Sequence, residues 1–314
     1  MRTTSDIRKE TQMKTSFLIR LTAFCLTVLA VFPALTGCNS FQNTEYAIVS
    51  EGILSADGFI YDKYENSTVK ITGMENVPAL LKIPAEIDGM PVVEIADSAF
   101  EGNEILLYLE FPEGNIKLGK RAFSDCIYLV TVNLSSSVNA IPLGAFENCR
   151  NLTVIEGLDN VTDIADQAFA GCTSLTYVNM PNGLTTIGTE AFRGCLSLAD
   201  IVLPETLTYV GESAFWSCNS LSKVNFGGSA KVPKYAFLDC ASLTEVIIGD
   251  SVKAIDEEAF RGCRTLYSVK IGKNVSTIHA YAFHACDSLT EVNFAGNKNN
   301  ISIAEGNESL GLSN

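Results

Sequence analysis

The sequence predicts a solenoid of stacked coils, and three regularities predict it. From residue 99 onward the pair Ala-Phe recurs nine times, with Phe at 100, 123, 146, 169, 192, 215, 237, 260 and 283, spaced 23 residues apart except for one step of 22. Six residues after every Phe stands a leucine: Leu106, Leu129, Leu152, Leu175, Leu198, Leu221, Leu243, Leu266 and Leu289. Five residues before each Phe runs a second apolar column of Ile95, Leu118, Ile141, Ile164, Ile187, Val210, Val232, Ile255 and Ile278. A unit this small cannot bury its own apolar face, so neighbouring coils must supply the core to one another.

Within a coil the elements follow in order. Three residues beyond the leucine comes another apolar side chain, such as Leu109, Val132, Val178 or Ile201, and two further on usually a third, such as Met180, Leu203 or Phe226. This period of two predicts a strand with one face inward. Pro or Gly then turns the chain, as at Pro112, Pro181, Pro204, Gly227, Gly249 and Gly272. The second apolar column forms the opposite wall, and Ala-Phe-x-x-Cys predicts a short helical turn.

A period of roughly 20–29 residues carrying Leu-x-x-Leu-x-Leu marks a leucine-rich repeat. The predicted fold is therefore an α/β repeat solenoid, a right-handed superhelix with a parallel strand sheet, short helical turns and 23-residue coils, over residues 77–294. Phe59-Ile60-Tyr61 and Val69-Lys70-Ile71 predict a covering hairpin over residues 51–76. Residues 295–314 predict a C-terminal cap, with Ile301-Ser302-Ile303 as a last half coil, and a polar tail. Gly157 stands where other coils place a large apolar side chain and marks the weakest point of the array.

Units such as Ala-Phe-Arg-Gly-Cys-Leu-Ser-Leu-Ala-Asp-Ile-Val-Leu-Pro at 191–204 resemble the BspA-type leucine-rich-repeat family. The resemblance implies a bacterial or protist surface protein, in a family several of whose members are implicated in attachment to host matrix proteins or other microbes. Because the repeated residues define a core and no ligand motif, the fold follows from them and the partner does not.

The first 37 residues predict an export signal. Lys14 and Arg20 flank Phe17-Leu18-Ile19, and the run from Leu21 to Leu35 carries no charge; Met13 is an alternative start. That run is shorter than the roughly 18 apolar residues of a spanning helix and holds Pro33. Leu35-Thr36-Gly37-Cys38 resembles the bacterial lipoprotein signal box, which implies cleavage before Cys38 and lipidation of its thiol. Several acyl chains would anchor the protein stably, at about 0.8 kcal/mol per buried methylene. Residues 38–50 then form a lipidated linker, and an ordinary secreted chain is the alternative.

The leader holds five of the 22 Lys/Arg and two of the 36 Asp/Glu, leaving 17 basic against 34 acidic residues and a net charge of -17. Such a surface repels nucleic acid and anionic headgroups alike, so the expected membrane attachment is through the lipid at Cys38, with no nucleic-acid partner.

Of ten cysteines, Cys25 lies in the signal and Cys38 at the lipid position. The other eight, Cys126, Cys149, Cys172, Cys195, Cys218, Cys240, Cys263 and Cys286, form one column three residues after the repeat Phe. At the strand spacing of about 4.8 Å, adjacent Cβ atoms exceed the usual disulfide span of about 3.5–4.5 Å, and a column converges on no point where a metal gathers ligands. Buried thiols acting as small apolar residues are expected, with disulfides between adjacent coils as the alternative. Asn103 occupies the position in the first coil.

His279 and His284, the two histidines, read as solvated. The chain carries no Gly-x-Ser-x-Gly, phosphate loop or His-Glu-x-x-His, so no catalytic residue, metal or cofactor is assigned and a non-enzymatic protein is expected. The strand residues that alternate with the core form an outward surface, on which Tyr108, Glu110, Tyr177, Asn179 and Asp200 are the candidate contacts. A second candidate lies just after the repeat Phe, where Arg193, Trp216 and Arg261 fall on nearby coils; Trp and Arg are enriched in interface hot spots.

The expected function is a lipid-anchored binding or adhesion protein of the bacterial outer membrane or cell surface, presenting this face to an extracellular or envelope protein or glycan. The alternative is a periplasm-facing structural or scaffolding lipoprotein, toward which the absence of an acidic run in Asn39–Thr44 leans. A glycan-processing enzyme, the third class, requires carboxylates clustered in a cleft, which a smooth solenoid does not readily provide.

Overall fold

The computed structural model describes residues 46–134, 136 and 138–311. The export signal over residues 1–37, with Met13, and the lipidation residue Cys38 lie outside these residues, as do the last three of the tail. The described residues form one compact unit built of coils with three hydrogen-bonded sides.

The first side is the strand face. Leu80–Lys82, Tyr108–Glu110, Thr131–Asn133 and Val154–Glu156 pair in parallel, residue for residue. A second run joins Asp200–Val202, Lys223–Phe226, Glu245–Ile248, Ser268–Ile271 and Glu291–Phe294. In-register pairing stacks Leu81, Leu109, Val132 and Ile155 inward and leaves their neighbours facing out. The second side is the wall of two-residue strands from Ala140–Ile141 to Tyr209–Val210 and from Lys231–Val232 to Ser302–Ile303. Its ladder breaks between Val210 and Lys231, where the loop entering the wall is one residue shorter than elsewhere and the chain takes its 22-residue step.

The third side corrects the sequence expectation. Ala-Phe-x-x-Cys does not form a helical turn, and no α-helix occurs among the described residues; 3₁₀ turns occur at Lys298–Asn300 and Glu308–Leu310. In all nine coils the residues two before and two after the repeat Phe have positive φ, from Ser98 (57°) and Gly102 (70°) to Tyr281 (58°) and Ala285 (55°). A left-handed residue every fourth position prevents a right-handed helix from propagating. It also aims alternate N–H groups at the next coil. Ser98, Phe100 and Gly102 donate to the carbonyls of Lys120, Ala122 and Ser124 at 2.8–2.9 Å, and later coils repeat the pattern. These bonds satisfy the backbone that a helix would have satisfied internally.

Inside, the repeat phenylalanines stack face to face from Phe100 to Phe283, with centroids 5.2–5.8 Å apart and ring planes within 16°. Each such pair contributes about 0.5–1.5 kcal/mol beyond its buried area. Beside them, all eight column cysteines are free and buried. Each thiol donates to the carbonyl of the preceding coil's Phe at 3.1–3.2 Å, as Cys149 does to Phe123 and Cys195 to Phe169. The first coil has no such Phe before it, and there Asn103 turns its Oδ1 to the N–H groups of Ile105 and Leu106 instead. Burial pushes the thiols of Cys126, Cys240 and Cys286 up to about 12.

Both ends of the stack are closed. Strands β1 (Ile48–Leu54), β2 (Phe59–Tyr64) and β3 (Val69–Met74) form an antiparallel meander. β3 runs parallel to Met90–Ile95 of the first coil and buries Val69 and Ile71. At the other end Asn307 is buried, and its Oδ1 accepts from the N–H of Phe283 at 3.0 Å. Its amide thus takes the place of the Ala carbonyl that a further coil would offer, and its Nδ2 donates to the carbonyls of His279 and Ala304.

Candidate partner-binding face

Two groups of outward residues on the strand face are tied together. Tyr108 Oη donates to Glu110 at 2.9 Å, and Lys82 from the coil before reaches the same carboxylate at 3.0 Å. The group recurs in the C-terminal half, where Glu245 takes Tyr267 Oη at 2.6 Å and Lys223 at 2.9 Å. The lysine bond and then the tyrosine bond hold Glu110 below the usual carboxylate range, while at Glu245 the tyrosine bond leads. The same contacts raise the two phenols.

Between these groups the face opens. Among the described residues no ladder joins Val154–Glu156 to the next coil, whose contribution is a single bridge from Tyr177 to Asp200. Thr153 donates to Val130 and Ala199 to Thr176, but no backbone bond links Thr176 to Thr153. Gly157, at φ +81°, ends Val154–Glu156 without the side chain that Leu134, Met180 and Leu203 place at that position. Leu158 fills the core in its place. The wall beneath stays paired through Ile141, Ile164 and Ile187, so the seam parts on the strand face alone.

The seam holds a cleft of about 420 Å³ bounded by Val154, Glu156, Gly157 and Asp159 on one coil and Thr176, Tyr177 and Asn179 on the next. Tyr177 is 56% exposed. Neither Glu156 nor Asp159 makes an ion pair or side-chain hydrogen bond among the described residues. Both carboxylates are exposed to solvent, without the enclosure that acid catalysis on a sugar demands. A second hollow, of about 500 Å³, lies on the wall side, where Lys117 faces Glu94 at 3.8 Å and Asp97 accepts from the backbone N–H of Lys120.

Of the residues singled out from sequence, Tyr177 and Asn179 line the cleft and Asp200 adjoins it, its Oδ1 accepting from Ser222 at 3.3 Å. Tyr108 and Glu110 meet each other three coils away. Glu156 and Asp159 were not singled out; the sequence signals for the cleft are Gly157 and the lack of any lysine at Thr131 and Asn133 in the preceding coil. On the third side, the guanidinium of Arg193 lies 5.9 Å from the centre of the Trp216 ring. Arg193 and Arg261 are bonded to Glu190 (2.9 Å) and Glu258 (2.6 Å) of their own coils. Trp216 is half-buried, its Nε1 enclosed without an acceptor.

No curated protein matches this chain. Among solved structures it is similar to a leucine-rich repeat protein of T. pallidum, at 29% identity over 75% of this chain and 89% of that one, with a TM-score of 0.43. It is also similar to a leucine-rich cell surface protein of Faecalibacterium prausnitzii, at 22% identity over 78% and 96% with a TM-score of 0.47. A leucine-rich repeat protein of Bacteroides ovatus matches at 26% identity over 79% and 89%, with a TM-score of 0.38. The model of the BspA-type leucine-rich repeat region matches six copies over residues 93–222 and 230–305, most of the coils described above. With that match added to the repeated Phe, Cys and Leu columns, the chain belongs to the BspA-type leucine-rich repeat family.

Proposed function

We propose that this protein is a non-enzymatic, lipid-anchored envelope protein that uses its strand face to bind an extracellular or envelope protein or glycan. The carrying observation is the cleft between Val154 and Tyr177, where the strand face offers an exposed aromatic ring, two carboxylates and unladdered backbone together. Extended faces of repeat arrays commonly bind macromolecules, and exposed aromatic rings in a recess supply contact area at low entropic cost. Membership of a family usually related to the cell surface or adhesion supports the same reading. Anchoring would come from Cys38.

Protease treatment of intact cells tests the reading. Loss of the protein while a periplasmic control survives is expected of a surface binder. Protection would overturn surface display and favour the periplasm-facing scaffold, whose partners crosslinking would then recover.

A further inference from the structure

We infer that the cleft takes a lysine or arginine side chain from an extended basic segment of the partner, an inference that rests on the strand face being the binding face. The face itself shows which chemistry its glutamates accept. Glu110 and Glu245 are each held by one tyrosine hydroxyl and one lysine ammonium from the preceding coil. Glu156 occupies the same outward column as Glu110, with Tyr177 on the adjoining coil, but Thr131 and Asn133 stand where those two glutamates find a lysine. The cleft therefore places a glutamate of that column, with no lysine beside it, on the same hollow as a tyrosine ring.

Asp159 adds a second uncompensated carboxylate, and the exposed Tyr177 ring offers a face to a cation. The parted ladder leaves the carbonyl of Thr153 without a backbone donor, an acceptor for an ammonium or guanidinium N–H. The chain's net charge of -14 draws a basic segment toward it and repels an acidic one.

The test is binding of a labelled Gly-Arg-Gly-Arg-Gly peptide to the full chain, against the same peptide with neutral citrulline in place of arginine. The arginine peptide is expected to bind and the citrulline peptide to bind at least tenfold more weakly. Glu156→Gln and Tyr177→Ala should each weaken binding by about tenfold, the loss of one charge-assisted contact. Asp287→Asn, away from the face, should leave it unchanged. All three sites are exposed, and unchanged urea midpoints will show that the variants fold. Equal binding of the two peptides, or binding indifferent to Glu156→Gln, overturns the inference. If a neutral oligosaccharide instead binds, with Tyr177→Ala weakening it and Glu156→Gln not, the cation inference falls while the strand-face reading stands.

Discussion

Raising the pH above 9 should unfold this protein through its cysteines. The eight column thiols are buried, and in the folded chain their pKa values rise from 9.0 to about 12 at Cys126, Cys240 and Cys286, and upward at the others. Desolvation is the leading cause at every one. A folded-state value above the unfolded one means that the native state keeps protons the unfolded chain releases. The stabilisation is thus complete below pH 9 and is lost as the pH climbs from 9 toward 12. Each thiol contributes on the order of 1 kcal/mol of loss by pH 10, so the column as a whole reaches the scale of the roughly 5–15 kcal/mol that holds a domain folded. Urea midpoints measured in reductant at pH 7, 8, 9, 9.5 and 10 should be level to about pH 8 and then fall steeply. Cys195→Ala should lessen the fall at pH 10 by about 1 kcal/mol. Equal stability at pH 7 and pH 10, or alkylation of the folded protein at pH 8.5 at the rate of free cysteine, would refute the reasoning.

Three further outcomes follow from the packing. Asn307→Ala should cost about 1–3 kcal/mol, because it strips the acceptor from the buried N–H of Phe283, and amide exchange should quicken most in the last coil. Phe192→Ala removes a ring stacked at 5.3 and 5.4 Å between Phe169 and Phe215, and should cost about 3–5 kcal/mol by urea denaturation, Phe192→Leu distinctly less. Gly157→Ala forces a side chain into a left-handed conformation and should cost about 1–2 kcal/mol on the same assay.

The repeat core was legible because inward positions are selected by size and apolarity and recur at one period: the Phe, Leu and wall columns are the buried columns. The third side was misread as helical although part of its signal was present. Gly102, Asp125, Asn148, Gly171, Gly194, Asp239 and Gly262 stand two after the Phe, and Gly, Asn and Asp are the residues that tolerate a left-handed backbone. Two before the Phe only Gly144 carries such a signal, and Gln167, Glu190 and Tyr235 adopt positive φ there without it. Asn307 was hidden in a polar tail because a side-chain amide that stands in for one carbonyl occurs once and has no period.

On the strand face, the outward placement of Tyr177 and Asn179 was legible from strand alternation, and Gly157 was already conspicuous as a gap in its column. That the sheet parts beyond Glu156 depends on how that coil meets the next one. Pairing between strands is not encoded at any single position.

The most direct test of the account replaces Tyr177 with a photo-crosslinking phenylalanine analogue in cells of the source organism, alongside the same change at Leu238 on the third side. A crosslinked partner from position 177, lost when Glu156→Gln is added and absent from position 238, is the result the account requires. Crosslinks arising from position 238 and not from 177 would contradict it and move the binding surface to the Arg193 and Trp216 edge.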